Sequence, residues 1–366
     1  MVFGLEVALP PQSTQIKVGL YPVFNILTSM AMMVSLEPGL ESWLVRTGQT
    51  LPVELIEPHQ IVFFGIGVEA LANAVYHTDE LPTFSRYLNA LEALEPETLR
   101  DTLLHWMIHS SHNRIDLDQP KVEPPEIEVL LADQGVFFDY VLAVGYKADL
   151  LPMALYGEVH RLLNDPPQLQ KRLVMHLRTL WERFVLVEWE KQRPMLEESV
   201  RSLQQIDIQP LPPIEAIQVI TGRNLHSLFD LDMLSSFKHI RLIPSRHTAP
   251  YISWFGTAEA INIIFGARRV ISANTLDTPE LLNRLQALGD ETRLQILLAI
   301  KRHEELSTQQ IMEIFDLNKS AASRHLKLLR ANELIHERRD SDNKTKFYSL
   351  KPETLSIISR TLENLF

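Results

Sequence analysis

The order of short elements in residues 306–350 constrains the fold more than any other feature of the sequence. "LSTQQIMEIFDLN" predicts a short helix that Ser307 or Thr308 can cap, with a glutamine near the capping-box position. The next three residues, 316–318, predict a tight turn, and Asn318 is a good N-cap for a second helix. Two helices joined by so short a turn predict a helix-turn-helix.

The second helix, "NKSAASRHLKLLR" (318–330), has two distinct faces. Ala322, Leu326 and Leu329 recur at i, i+4 and i+7 and are predicted to face inward. In a helix-turn-helix, the second helix enters the DNA major groove with its N-terminal residues on the base edges. The outward face carries Lys319, Ser320, Ser323, Arg324 and Lys327.

A basic hairpin is predicted directly after this helix. "LIHERRDSDNKTKFYSL" (334–350) has two strand-like runs around a turn at 341–344. Such a hairpin is a wing, suited to contacts with phosphates or the minor groove. Its cationic side chains are Arg338, Arg339, Lys344 and Lys346.

The net charge of −11 argues against a nucleic-acid partner only as an average. Residues 281–366 hold 14 Lys and Arg against 12 Asp and Glu, a net of +2, which leaves residues 1–280 at −13. An acidic body joined to a mildly basic tail predicts two tasks on one chain. The absence of cysteine excludes disulfides, zinc fingers, iron–sulfur clusters and cysteine nucleophiles, and fits a reducing cytosol.

Three motifs in sequence, "LGDETRLQILLAI", "LNKSAASRHLKLLRANELI" and "ERRDSDNKTKFYSL", resemble the ArsR family of winged-helix repressors. The resemblance implies double-stranded operator DNA as the target and repression that a ligand relieves. It also implies a homodimer formed through the first and last helices of the domain, here about 279–288 and 352–366. The candidate dimerisation residues are Leu281, Leu285, Leu355, Ile358 and Leu362.

The resemblance also assigns roles to individual side chains. Ser323, Arg324 and His325 match the part of the motif that approaches bases, and Arg324 is the best candidate for a bidentate guanine contact. His325 could instead reach a phosphate, or be partly buried at the seam between helix and wing. Phosphate contacts are predicted for the remaining cations, Lys319, Lys327, Arg338, Arg339, Lys344 and Lys346.

The chain departs from the family pattern at two places. Many relatives have glycine near the end of the recognition helix, where this chain has Asn332-Glu333; asparagine tolerates left-handed backbone geometry. Metal-sensing members place cysteines on the helix occupied here by "QQIMEIF", or His and acidic ligands on the last helix. This chain has no such set at either place, which argues against metal sensing there.

The sequence predicts a mainly α chain with two domains. Residues 1–275 read as a large helical domain with a small β element near 239–269, and residues 276–366 as the winged helix-turn-helix. Pro96 is a predicted helix start and Pro194 a kink or break in a long helical pattern. The uncharged stretch 18–36 predicts a buried core helix rather than a membrane span, and no other stretch has the composition of a span.

The N-terminal domain carries few chemical motifs. His105 and His109 are four residues apart on a helix and are weak candidates for a shared metal, although interface histidines are the commoner reading. No nucleophile elbow, phosphate loop or HExxH motif is present, so no cofactor and no enzymatic activity are predicted. The aromatic residues Tyr251, Trp254 and Phe255 could line a pocket, but core packing is the commoner role of such residues.

These features together predict a cytoplasmic, dimeric, DNA-binding transcriptional repressor. Its N-terminal domain would be a sensor or dimerisation platform, with an unknown small-molecule effector, and it resembles uncharacterised helical domains fused in front of ArsR-type winged helices. The alternative is an enzyme or partner-binding scaffold in residues 1–275 with an autoregulatory DNA-binding tail.

Overall fold

The computed structural model shows a mainly helical chain with two small sheets, as the sequence predicted. It describes residues 14–35, 37–109, 123–143, 152–223, 225, 229, 234, 237–257, 259–268, 276–340 and 345–365.

The N-terminal domain begins with the strand β1 (Gln15–Val18) and continues through a series of helices. The helices are α1 (Pro22–Met32), α2 (Ser42–Gln49), α3 (Val53–Gln60), α4 (Val68–Asn73), α5 (Phe84–Ala93), α6 (Pro96–Ile108), α7 (Ile127–Ala132), α8 (Gln134–Ala143), α9 (Met153–Leu163), α10 (Pro166–Leu180), α11 (Leu186–Leu203) and α12 (Pro213–Thr221).

A four-stranded sheet packs against these helices. Its other strands are β2 (His239–Ser245), β3 (Ser253–Gly256) and β4 (Ala260–Gly266), and the spatial order is β1-β2-β4-β3. The strands β1 and β2, and β2 and β4, pair in parallel, whereas β3 and β4 are antiparallel. The predicted strands near 239–269 are confirmed. The sequence reading missed β1, a strand of four residues whose partner lies over 200 positions away along the chain.

The apolar stretch 18–36 contains α1, whose residues Val23 to Met30 are all buried, so the predicted core helix is confirmed. Contrary to the prediction, a second stretch also has the length and composition of a membrane-spanning helix. Among the described residues, the helical run Val53–Asn73 is apolar and long enough to cross a membrane, and 56% of its most apolar window is buried. A π-helix, Ile61–Gly67, interrupts this run between α3 and α4.

Prolines mark the helices in two different ways. Pro96 stands at the start of α6, as predicted. Pro194, in contrast, neither breaks nor ends its helix, because α11 runs on to Leu203. Proline removes one backbone donor, which one long packed helix can tolerate. The interruption in the pattern 166–205 is instead a π-helix, Trp181–Val185, between α10 and α11.

The C-terminal domain is a winged helix with its own apolar core. Its elements are α13 (Thr278–Leu288), α14 (Glu291–His303), β5 (Glu305–Ser307), α15 (Thr308–Phe315), α16 (Lys319–Ala331), β6 (Ile335–Arg339), β7 (Lys346–Leu350) and α17 (Pro352–Glu363). The three strands form an antiparallel sheet in the order β5-β7-β6, which sets the wing against the first helices of the domain.

Candidate nucleic-acid interface

The helix-turn-helix forms through local caps that the sequence predicts. Ser307 Oγ accepts a hydrogen bond from the Gln310 amide at 3.2 Å, and Gln310 Oε1 accepts from the Ser307 amide at 2.8 Å, a complete capping box. Asp316 takes left-handed geometry (φ 48°) and ends α15. Asn318 Oδ1 then accepts from the Ala321 amide at 2.8 Å and starts α16.

The first half of α16 presents its polar face to solvent. Ala322, Leu326 and Leu329 are buried, as predicted, and fix the rotation of the helix against the core. The opposite face then holds Lys319, Ser320, Ser323 and Arg324, all exposed. We call these four residues the open face of α16. The structure therefore brings together Ser323 and Arg324, predicted to approach bases, and Lys319, predicted to contact a phosphate.

His325 is oriented differently from the open face. Its ring is half-buried, and Nδ1 lies 3.8 Å from Asp290 Oδ1, the residue that caps α14. Burial lowers the pKa of His325, with Asp290 opposing the shift and Arg293 and Arg324 adding to it. This position matches the prediction of a partly buried histidine more closely than that of a phosphate contact, although the ring packs beside α14 rather than the wing.

The N-terminal domain contacts the second half of α16, where Leu328 is buried and the Lys327 side chain remains 43% exposed. The ammonium of Lys327 contacts the Glu37 carboxylate and lies 5.4 Å from the centre of the Tyr251 ring. Leu328 is buried against Gly39, where an added Cβ would come within 2.8 Å of Leu328 Cδ1. We call Lys327 and Leu328 the covered face of α16.

The sequence reading missed the residues that make this contact. Glu37 and Gly39 lie in a loop with no motif, and Tyr251 is predicted only as a core or pocket-lining aromatic residue. One signal was present: Leu328 falls outside the inward i, i+4, i+7 series of α16. An extra leucine on the polar side of a helix indicates a second packing surface.

The basic side chains of the wing are largely paired within the domain. Arg338 forms a two-pronged contact with Glu305, with Nε 2.7 Å from Oε1, and lies over the Phe347 ring at 4.6 Å. Lys346 Nζ lies 3.0 Å from Glu337 Oε1. Arg339 is exposed, and Lys344 lies outside the described residues. Phosphates would have to compete with carboxylates for Arg338 and Lys346.

The end of α16 differs in detail from the prediction. Asn332 is buried with φ −96°, and the left-handed residue is Glu333, with φ 59°. Contacts hold this unusual backbone: Thr354 Oγ donates to the Glu333 carbonyl at 2.6 Å, and the Glu333 carboxylate contacts Lys351. The left-handed conformation that glycine adopts in many relatives is therefore adopted here by a glutamate, which these contacts hold in place.

The predicted dimerisation residues are placed in three environments. Leu281 and Ile358 are buried in the core of their own domain. Leu285 and Leu362 are half-buried, and Leu355 is 38% exposed. The helices α13 and α17 are adjacent, and Thr361 Oγ, on α17, accepts from the Leu276 amide just before α13 at 3.1 Å. The dimer surface stays a prediction, and Leu355 is its most accessible candidate.

The rings of His105 and His109 lie 4.7 Å apart, centre to centre, on the last turn of α6. Within the described part of the chain, no group of three or more His, Asp or Glu side chains is placed to hold a metal ion. His112, the next histidine along the chain, lies outside that part. The metal reading stays a weak candidate.

Comparison with known proteins places this region in a family. The family model described as "Bacterial regulatory protein, arsR family" matches residues 290–337, from the cap of α14 through α15 and α16 into β6. The chain is also 32% identical to reduced HlyU from Vibrio cholerae N16961, over 25% of this chain and 92% of that one, with a TM-score of 0.20.

Proposed function

Starting from the premise that this chain belongs, through its C-terminal domain, to the arsR family of bacterial regulatory proteins, we propose that it is a dimeric, DNA-binding transcriptional repressor. The N-terminal domain modulates its binding to operator DNA. The observation that carries the proposal is the open face of α16: four exposed polar and cationic side chains at the start of the second helix of a helix-turn-helix.

The residues of the open face have different roles in DNA binding. Arg324 is long and planar enough to bind guanine O6 and N7 together, which specifies a base pair. Lys319, at the helix N-terminus, meets a phosphate and fixes the depth of the helix in the groove. Ser320 and Ser323 are short enough to let the backbone of α16 approach the DNA closely.

A dimer would present two copies of α16 to the same face of the duplex. Recognition helices in such dimers are spaced by about one helical turn, or 34–36 Å, so the operator would be approximately palindromic. The support in this chain is the adjacency of α13 and α17 and the exposed Leu355 and Leu365.

The covered face of α16 supports modulation by the N-terminal domain. Lys327 follows Arg324 by about one turn and shares its side of the helix, so Glu37 occupies a cation that a phosphate would otherwise bind. A change in how the N-terminal domain sits on α16 therefore changes how much of the helix is available to DNA. This is the coupling that a ligand-dependent regulator needs.

The first experiment is selection of duplexes from a random library by the purified full-length protein, followed by titration of the selected sequence at several salt concentrations. We expect a sequence preference and an affinity that falls steeply with salt. Lys319→Ala should weaken binding to all sequences and lower the salt slope by about 1. Failure to enrich any sequence, together with binding unchanged in Lys319→Ala, would refute the proposal.

We propose that residues 1–275 act by binding rather than by catalysis, in the cytoplasm where the DNA is. The support is that two cavities, of about 280 and 350 Å³, lie at the contact with the winged helix. Turnover of a substrate by the full-length protein, independent of DNA, would favour the enzyme alternative. Stable capture of another protein through this domain would favour the scaffold.

A further inference from the structure

A cavity of about 280 Å³ lies between the two domains. On one side its wall includes Arg223, which follows α12, and Arg246, which follows β2. On the other side the wall includes Arg284, from α13, and Asn332, from the end of α16. The volume is close to the lower end for small-molecule sites, and both domains contribute to it.

Arg284 is the most informative side chain of this wall. Only 9% of the residue is exposed, and its Nε donates to the Asn332 carbonyl at a long 3.4 Å. Its buried Nη1 has no hydrogen-bond partner among the described residues. A buried guanidinium without an acceptor is unfavourable, so a cavity beside it is suited to a group that supplies one.

Two further arginines lie close to Arg284. Arg223 donates from Nη2 to the Pro250 carbonyl at 2.6 Å, and its Nη1 is 3.9 Å from Glu333. Arg268 lies on Gly222, where an added Cβ would be 1.7 Å from Nη1, and its buried Nε has no partner within the described chain. Burial lowers the pKa of Arg284; Glu280, Glu333 and Asp277 oppose the shift and Arg268 adds to it.

The carboxylates near the cavity leave Nη1 of Arg284 and Nε of Arg268 without a hydrogen-bond partner among the described residues. Glu41 lines the cavity, but its side chain accepts from the Trp43 amide at 2.7 Å as the cap of α2. Glu333 is shared with Lys351. Glu280 lines the cavity and supplies one carboxylate for the cluster. Arginines from both domains therefore lie around one cavity, and Arg284 Nη1 still has no acceptor among the described residues.

We propose that this junction cavity binds a small anion that carries a carboxylate or phosphate group, with Arg284 as its main ligand. A guanidinium group matches either anion through two parallel hydrogen bonds. The anion would link Arg284 of the winged helix to Arg223 and Arg246 of the N-terminal domain and relieve their repulsion. If the protein is the DNA-binding regulator proposed above, the bound anion holds the N-terminal domain on the covered face of α16 and so weakens operator binding.

Calorimetry and thermal unfolding of the full-length protein test the site without DNA. The probes are succinate and inorganic phosphate, with ionic strength held constant by sodium chloride and uncharged succinamide as the control compound. We expect saturable binding of one anion per chain and a Tm increase of about 2–4 °C. Binding by succinate alone identifies a carboxylate site and binding by phosphate alone a phosphate site; either result supports the proposal.

Two variants locate the anion. Arg284→Met should raise the Kd of the probe about tenfold or more, because it removes the guanidinium whose Nη1 has no other partner among the described residues. Arg201→Met, on the exposed side of α11, removes one charge elsewhere and should change nothing. Arg246→Met, at the cavity rim, repeats the test if Arg284→Met fails to fold.

Saturable binding of neither probe, or binding unaffected by Arg284→Met and Arg246→Met, overturns the inference. Operator titration with and without the bound probe then tests regulation separately. Anion binding that leaves operator affinity unchanged would refute the regulatory link while leaving the site. Operator binding without any anion binding would refute the site and leave the proposed function standing.

Discussion

The winged-helix domain and the N-terminal domain differ in where they keep their ionisable side chains. The winged helix places most of its charges at the surface, with Asp277, Arg284 and Lys351 as buried exceptions, and the open face of α16 is exposed for a partner. The N-terminal domain buries three histidines, His59, His176 and His247, in its interior. The first arrangement gives salt-dependent recognition, whereas the second makes the stability of a domain depend on pH.

The environment of His247 shows why these rings must be neutral. Nδ1 lies 2.9 Å from Ser29 Oγ, which itself donates to the Asn25 carbonyl, so the imidazole donates there. Nε2 lies 3.0 Å from the Gln192 amide nitrogen and must accept. Only the neutral ring with its proton on Nδ1 satisfies both contacts. Burial lowers the pKa of His247 to about 3, and nearby Arg246 adds to the shift.

The largest expected difference between the domains is therefore their response to acid. Burial lowers the pKa of His59 to about 3 and that of His176 to about 4. Because these values lie below the unfolded value of 6.5, stability is fully present above pH 6.5 and is lost as pH falls towards the folded pKa. Between pH 6.5 and its folded pKa, each of these buried histidines should lower the free energy of unfolding by about 1.4 kcal/mol for every pH unit of acidification.

Urea unfolding from pH 7 to 4.5, followed by tryptophan fluorescence, measures this loss, since all five tryptophans lie in residues 1–275. His176→Leu should flatten the pH dependence, whereas His303→Gln, exposed at the end of α14, should leave it unchanged. Equal pH dependence in the wild type and His176→Leu would contradict the burial argument for that histidine.

The next effect concerns the open face. Arg324→Ala should reduce discrimination at one base-pair position by about 1–3 kcal/mol, because it removes a bidentate base contact. Titration of the selected operator and its single-base variants measures the loss. Lys319→Ala is the matched control and should weaken all variants alike. Uniform losses in both variants would show that α16 reads no base through Arg324.

A smaller effect should come from the covered face. Glu37→Gln frees Lys327 and should strengthen DNA binding about twofold to fivefold, a modest gain because the pair is partly exposed. The same change in a Lys327→Ala background should have no effect, as a double-mutant cycle requires. If Glu37→Gln strengthens binding equally in both backgrounds, general charge rather than this contact is responsible.

The smallest effect should come from the wing. Glu305→Gln releases Arg338, whose side chain is 56% exposed, so the gain in DNA affinity should be at most about twofold. The salt slope should steepen slightly if Arg338 then meets a phosphate. Gel-shift titration at two salt concentrations detects this change, and Glu313→Gln, exposed on α15, is the control. Weaker binding by Glu305→Gln would mean that the pair with Arg338 positions the wing.

The sequence predicted local structure where local rules suffice. The Ser307 capping box, the Asn318 cap and the burial of Ala322, Leu326 and Leu329 follow from neighbours within a few residues. The strand β1 could not be predicted in this way, since four residues become a strand only through pairing with β2. The predicted break at Pro194 is wrong, because α11 continues past this residue to Leu203.

The candidate site was predictable in part. The chemistry of the open face follows from residue types and helical spacing alone. The ion pairs of Lys327 with Glu37 and of Arg338 with Glu305 join residues far apart along the chain, so no periodicity reveals them. The cavity beside Arg284 depends on how two domains meet, which a single sequence leaves open.

The central claim is that the open face of α16 binds DNA while the N-terminal domain restrains its covered face. Fluorescence anisotropy of the full-length protein on its selected operator, comparing Arg324→Ala with Glu37→Gln, tests this most directly. We predict opposite directions: Arg324→Ala loses preference for the operator, and Glu37→Gln binds it more tightly. Binding that neither substitution alters would mean that α16 does not enter the groove and that the N-terminal domain does not restrain it.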